Sequence, residues 1–240
     1  MLSVVFVIFT YRDDAYLLGQ CLRALRMLQE RVPYRTDVFV YDDEKNALPY
    51  APRDCHYLLS NFNRNGNLNG DECIRGELLS MKHAAKETNA DIVVKVDSDV
   101  IINNLDWCLN FDPLHSHVGF QFRNQTHQSG CCYSLPADAI FQMYQSAKTK
   151  NFGCNFPESV AMSRISKEIG LNHVLHDCTP NNTELWRACS LLKNDIADNK
   201  LSSHALGIMR CIDVVLCELI SDKRDKEMNF QLMKQYLDLK

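Results

Sequence analysis

Along the chain, short continuous apolar runs alternate with longer stretches in which apolar residues recur every three or four positions. Residues 4–9 form the first run, β-branched and aromatic throughout, as in a strand buried on both faces. Residues 16–30 follow, with Leu18, Leu22, Leu25 and Leu28 at helical spacing, and Pro33 stops that helix. Residues 37–41 and 55–59 predict two more strands, and the Asn- and Gly-rich residues 61–70 predict an irregular loop. Asp71 is placed to cap a helix ending near Thr88, with Ile74, Leu78, Met81 and Ala85 on one face. Residues 92–96 predict the next strand. The order strand, helix, strand, strand, helix, strand predicts an α/β fold, a mostly parallel central sheet flanked by helices.

The second half is less regular. Residues 117–123 and 131–135 read as strands, and residues 137–148 and 157–170 as helices, the latter with Pro at its start and Gly at its end. Residues 172–201 have weak periodicity and read as mixed. Residues 205–220 and 226–239 predict a helical C-terminus, with Ile208, Ile212, Val215 and Leu219 as an apolar stripe for core packing or a homodimer contact. No repeat or linker divides residues 1–240, so they read as one domain.

Composition narrows the function. The formal charge of −4 gives no reason to expect nucleic-acid or membrane-surface binding, and no apolar run reaches transmembrane length. The N-terminal M-L-S-V-V-F-V-I-F-T lacks a basic region and a small-residue cleavage site, so it reads as a strand and not a signal peptide. The eleven cysteines are scattered with no C-x-x-C, which argues against a zinc protein and predicts reduced thiols in a cytoplasmic protein.

Three polar clusters fall at predicted strand ends: Thr10-Tyr11-Arg12, Asp42-Asp43 and Asp97-Ser98-Asp99. In an open parallel sheet these ends share one edge, where ligands bind. The last cluster interrupts the apolar stretch A-D-I-V-V-K-V-D-S-D-V-I-I-N. Carboxylates two apart on an extended segment point the same way, and buried as an isolated pair they would repel. A hard divalent cation relieves that cost and commonly bridges carboxylates to phosphates. The plainer alternative is a strand ending in common turn residues.

The sequence resembles the nucleotide-sugar-dependent glycosyltransferases of the GT-A fold, whose Asp-x-Asp motif ends a core strand. V-V-F-V-I-F-T-Y-R-D-D-A-Y-L-L-G-Q-C-L-R-A-L is similar to the opening strand and helix of family 2 members. K-V-D-S-D-V-I-I-N resembles the Lys-x-Asp-Asp-Asp-Val stretch of the β-1,3-glycosyltransferases, and F-P-E-S-V-A-M-S-R-I-S-K-E-I-G their Pro-Glu-Asp-Val helix. The resemblance spans roughly residues 1–205.

It implies a nucleotide-binding half over about residues 1–100, an acceptor half over 101–205 and C-terminal helices over 206–240. Thr10, Tyr11, Arg12, Asp42 and Asp43 would hold base and ribose, and Arg75 would face the diphosphate. Asp99 would ligate Mn2+ or Mg2+, with Asp97 on the ribose or the metal, Ser98 between them and His204 as a third ligand; His173 and His176 compete for that place. Glu158 would be the general base, although Ser159 stands where the family pattern has a second acid. Gly130 would give close backbone approach on the acceptor side. Trp107 and Trp186 suit core packing better than sugar stacking. The implied activity is metal-dependent transfer of a sugar from a nucleoside diphosphate-sugar, UDP-linked, to the hydroxyl of a glycan or other acceptor, with inversion. The alternatives are a GT-A-like module that binds sugar nucleotide or protein without turnover, and a sugar nucleotidyltransferase, which would need a Gly-rich phosphate loop where this chain has T-Y-R-D-D-A.

Overall fold

The computed structural model describes residues 2–61, 70–121, 126–153, 156–177, 195, 202–216 and 226–239. The first apolar run is strand β1 (Ser3–Thr10), flanked in parallel by β2 (Arg35–Asp43) and β4 (Ile92–Val96), with β3 (His56–Ser60) beyond β2. On the other side of β4 lie β7 (Cys132–Pro136), β6 (Ser116–Gln121) and β8 (Asn172–Asp177). The sheet order is β3-β2-β1-β4-β7-β6-β8. Only β7 of these strands runs against the others, so the sheet is mostly parallel.

Two helical layers cover it. Helix α1 (Ala15–Gln29) packs on the face carrying Val4, Phe6 and Ile8, as do two C-terminal helices, α6 (Ser203–Cys211) and α7 (Lys226–Asp238). Helices α2 (Gly70–Thr88), α4 (Ala137–Lys148) and α5 (Glu158–Glu168) pack on the face carrying Val5, Val7 and Phe9. The alternation of side chains along β1 feeds both cores.

Several expectations need correction. Residues 205–220 are not one helix. It ends at Cys211, and Val214–Leu216 is strand β9, paired antiparallel with β5 (Val100–Ile102). Val215 is buried there, because a β-branched run gains more from pairing with β5 than from extending a helix. Leu219 of the expected stripe lies outside the described residues. Asp71 is not a cap: it sits inside the first turn of α2, and its carboxylate accepts a hydrogen bond from Phe152 N at 2.7 Å. The segment read as mixed yields β8; its remainder, with Trp186 and apart from residue 195, lies outside the described residues, as do 62–69 of the expected loop and the end of the strand expected at 117–123. Trp107, in the short helix α3 (Asp106–Leu109), is core, at 2 % exposure.

The end of α5 follows its residues closely. Gly170 takes φ +88°, and the N–H groups of Gly170 and Leu171 return to the carbonyls of Lys167 and Ser166 at 3.0 Å each, the helix stop that glycine permits. Among the described residues no helix is long and apolar enough to cross a membrane, and the described cysteines are free thiols.

Candidate active site

Register aligns the polar clusters. Thr10 pairs with Asp42, and Ile8 with Val96, so Thr10, Asp42 and the Asp97 turn lie on one edge of the sheet. Thr10 and Asp42 are fully buried, and Thr10 Oγ1 and Asp42 Oδ1 have no hydrogen-bond partner. A buried orphan of this kind costs about 1–3 kcal/mol, a burden that calls for a functional account. The other oxygen of Asp42 accepts from Tyr57 Oη at 2.6 Å and Leu48 N at 2.7 Å, so this acid also fixes the segment after β2. Asp43 caps the short turn Glu44–Asn46 through Lys45 N.

The Asp97-Ser98-Asp99 segment is a turn, not extended strand, with Val100 N bonded to Asp97 O at 3.3 Å. Its two acids therefore go to opposite faces of the sheet. Asp97 Oδ1 lies 2.5 Å from Lys95 Nζ, on the α2–α5 side. Asp99 Oδ2 accepts from Asn229 Nδ2 of α7 at 3.3 Å, on the α1 side. Ser98, between them, is buried at 5 % exposure.

Behind Asp97 is a buried charged network. Lys95 is 2 % exposed and also donates to Gly130 O. Glu77 and Glu158 are 1 % and 2 % exposed, and Tyr133 Oη donates to Glu158 Oε1 at 2.7 Å. Burial, then the charge of Glu77, pushes the Glu158 carboxyl up to about 8, against the pull of Lys95 and Tyr133. A Cβ at Gly130 would stand 2.9 Å from Glu158 Oε2, so any side chain there would displace that carboxyl. The Gly130 carbonyl and bare Cα join the Asp97 turn to the start of α5.

On the α1 side, Lys226 of α7 donates to Tyr11 Oη at 2.7 Å and Asp14 Oδ1 at 2.6 Å, and lies 4.5 Å from the Tyr11 ring centre. Partial burial lowers its affinity for a proton, but the bonds to Asp14 and Tyr11 more than offset this and raise its pKa.

Other expected site residues are engaged elsewhere. The Arg75 guanidinium bonds the carbonyls of Ala147 and Lys150 at the end of α4. Arg12, exposed, donates to Ala47 O. His173 shares the hydroxyl of Ser166 with the buried His117, and burial, then Lys167, lowers it to about 4. His176 bonds Trp107 O at 2.7 Å. His204 is exposed in the first turn of α6. Among the described residues no three His, Cys, Asp or Glu side chains gather as a metal-holding group, so Asp97, Asp99 and His204 do not form one. Magnesium-type ions are commonly held by one or two carboxylates with water and substrate phosphate, so a single turn acid with a substrate diphosphate is chemically sufficient for such an ion.

Lys95 and Glu77 were legible and missed. Lys95 is the polar residue in I-V-V-K-V, two before Asp97, and Glu77 interrupts the apolar stripe of α2. Nothing in the sequence points to Lys226 or Asn229, which meet Tyr11, Asp14 and Asp99 from the far end of the chain.

No protein-family model matches the chain, and no curated protein matches it. Among solved structures, the chain is similar to a glycosyltransferase involved in the glycosylation of the major capsid of PBCV-1, at TM-score 0.55 and 10 % identity over 97 % of this chain and 98 % of that one. The fold is GT-A. Two structures of Drosophila beta-1,4-galactosyltransferase 7, one a mutant with manganese, UDP-Gal and xylobiose and one a catalytic domain with xylobiose, align at TM-scores 0.48 and 0.47 and 11 % identity. The alignment covers 73 % of this chain and 65 % of those.

Proposed function

We propose that the chain is a glycosyltransferase that moves a sugar from a UDP-sugar to a hydroxyl of a glycan or similar acceptor, with inversion. The observation that carries this reading is the acid turn at the exit of β4, on the edge where β1 and β2 also end in polar residues. Thr10, Tyr11, Asp42 and Asp43 line the donor's nucleoside end. The orphaned atoms of Thr10 and Asp42 support that assignment.

Asp99 would hold a divalent cation together with the donor diphosphate, with Asp97 on the ribose or a water of that ion. Such an ion supplies electrostatic stabilisation to the leaving group. Lys95 holds Asp97 in place and offsets part of its charge. In the transfer, the acceptor oxygen bonds to the anomeric carbon as the bond to the diphosphate oxygen breaks and its electron pair leaves with the diphosphate. Glu158 takes the hydroxyl proton from the side of Gly130 and Ser159. A carboxyl poised at about 8 suits a base working near neutrality.

The near-complete burial of Glu158 favours a second reading, a binding module without turnover. Calorimetry with UDP, with and without manganese, tests the donor site in wild type and Asp99→Ala. Metal-dependent binding that the substitution abolishes is expected; binding in neither condition for UDP, GDP or CMP would remove the transferase reading. Release of sugar or transfer from UDP-sugars, lost in Glu158→Gln, separates enzyme from module.

A further inference from the structure

We propose that Lys226, on the C-terminal helix, is a further donor-site residue that binds the diphosphate; this rests on the glycosyltransferase reading above. Lys226 and Asn229 are three apart on α7 and therefore share a face, separated by about 4.5 Å along the axis. Asn229, fully buried, reaches Asp99. One face of α7 thus carries Asn229 on Asp99 and, three residues before it, Lys226 with its ammonium on Tyr11 at the end of β1.

The helix is fixed in that place. Leu232, Met233, Tyr236 and Leu237 are buried in the α1-side core, and Tyr236 Oη donates to Asn103 Oδ1 at 2.8 Å. Arg23 of α1 pairs with Asp238 at 2.6 Å. A side chain held this way is pre-organised, so ordering it on binding costs little.

Charge gives the second argument. Asp13, Asp14, Asp42, Asp43, Asp97 and Asp99 crowd the edge with negative charge. A nucleoside diphosphate adds more than one divalent cation offsets. Lys95 cannot meet it, being 2 % exposed on the opposite face of the sheet. Arg75 is committed to α4 carbonyls. Lys226 keeps 28 % of its side chain exposed, and an ammonium has three N–H donors, of which Tyr11 and Asp14 take two. The third serves a phosphate oxygen.

The test compares UDP with uridine, both in the presence of manganese, in wild type, Lys226→Ala, Lys226→Arg and Asp14→Asn. Loss of a charge-assisted hydrogen bond to phosphate predicts UDP binding about tenfold weaker in Lys226→Ala. Uridine binding should stay within about twofold of wild type, because uridine has no phosphate to lose. Lys226→Arg should recover most of the UDP affinity. If Lys226 only docks α7, then Lys226→Ala and Asp14→Asn will weaken UDP and uridine alike, and the proposal is wrong. Unchanged UDP binding in Lys226→Ala, with wild type binding normally, overturns this inference and leaves the transferase reading standing. Wild type that binds no nucleoside diphosphate overturns both.

Discussion

The two faces of the sheet hold their lysine ion pairs in opposite ways, one sealed and one partly wet. On the α2–α5 face, Lys95, Glu77 and Glu158 are sealed from water, with Lys95 bonded to Asp97 and Gly130 and Glu158 bonded to Tyr133. On the α1 face, the Lys226–Asp14 pair stays partly wet, although Asp42 and the neutral Asn229 are fully buried. A sealed charge cannot change partners, because an uncompensated ion in the interior costs several kcal/mol. A wet one can, since water replaces whichever partner leaves. The sealed face therefore fixes the geometry of Asp97 and Glu158, and the wet face is where a charged ligand can exchange in.

The sharpest way to break this contrast is Lys95→Met. Removing the cation leaves buried carboxyls without their compensation and should cost about 3–5 kcal/mol in urea unfolding. A cost below about 1 kcal/mol would put the two faces on one footing.

Glu158→Gln comes next. The folded carboxyl is raised to about 8 from an ordinary value of 4.5, so the folded state holds the proton more tightly than the unfolded chain. Its stabilising contribution is complete below pH 4.5 and is lost as pH rises through about 8. Wild type should thus lose stability across that window, and Glu158→Gln should flatten the slope, as melting curves at stepped pH will show. Activity should move the other way in wild type, rising toward pH 8 as the base ionises.

Gly130→Ala sharpens the comparison at one atom. The added methyl meets Glu158 Oε2 at 2.9 Å, and the overpacking should cost about 1–3 kcal/mol. The smallest effect belongs to the wet face. Asp14→Asn breaks a partly exposed pair and should shift unfolding by less than about 1 kcal/mol, while high salt masks even that. A larger loss would mean that Lys226 is sealed in function as Lys95 is.

The sheet and its covering helices were readable because their signals are local. The run before Tyr11, the leucines of α1 and the Pro–Gly bounds of α5 each specify an element from a few neighbouring residues. The C-terminal region was misread at residues 212–216 for the complementary reason. Val214–Leu216 has the residues of a strand but needs β5, over a hundred positions earlier, to become one. At the site, the sequence by itself supplied the acids at the strand ends, since strands in one parallel sheet must end on one edge. It also held the clue to Lys95, in the two-residue period that puts it on the side of Asp97. Only tertiary structure decided where the acids point. A turn of three residues has no periodicity to read, so Asp97 went to Lys95 and Asp99 to Asn229 according to which helix layer offered a partner. Lys226 reached Tyr11 and Asp14 by the same route, because apolar packing of α7 on α1 set its position and the polar contacts followed.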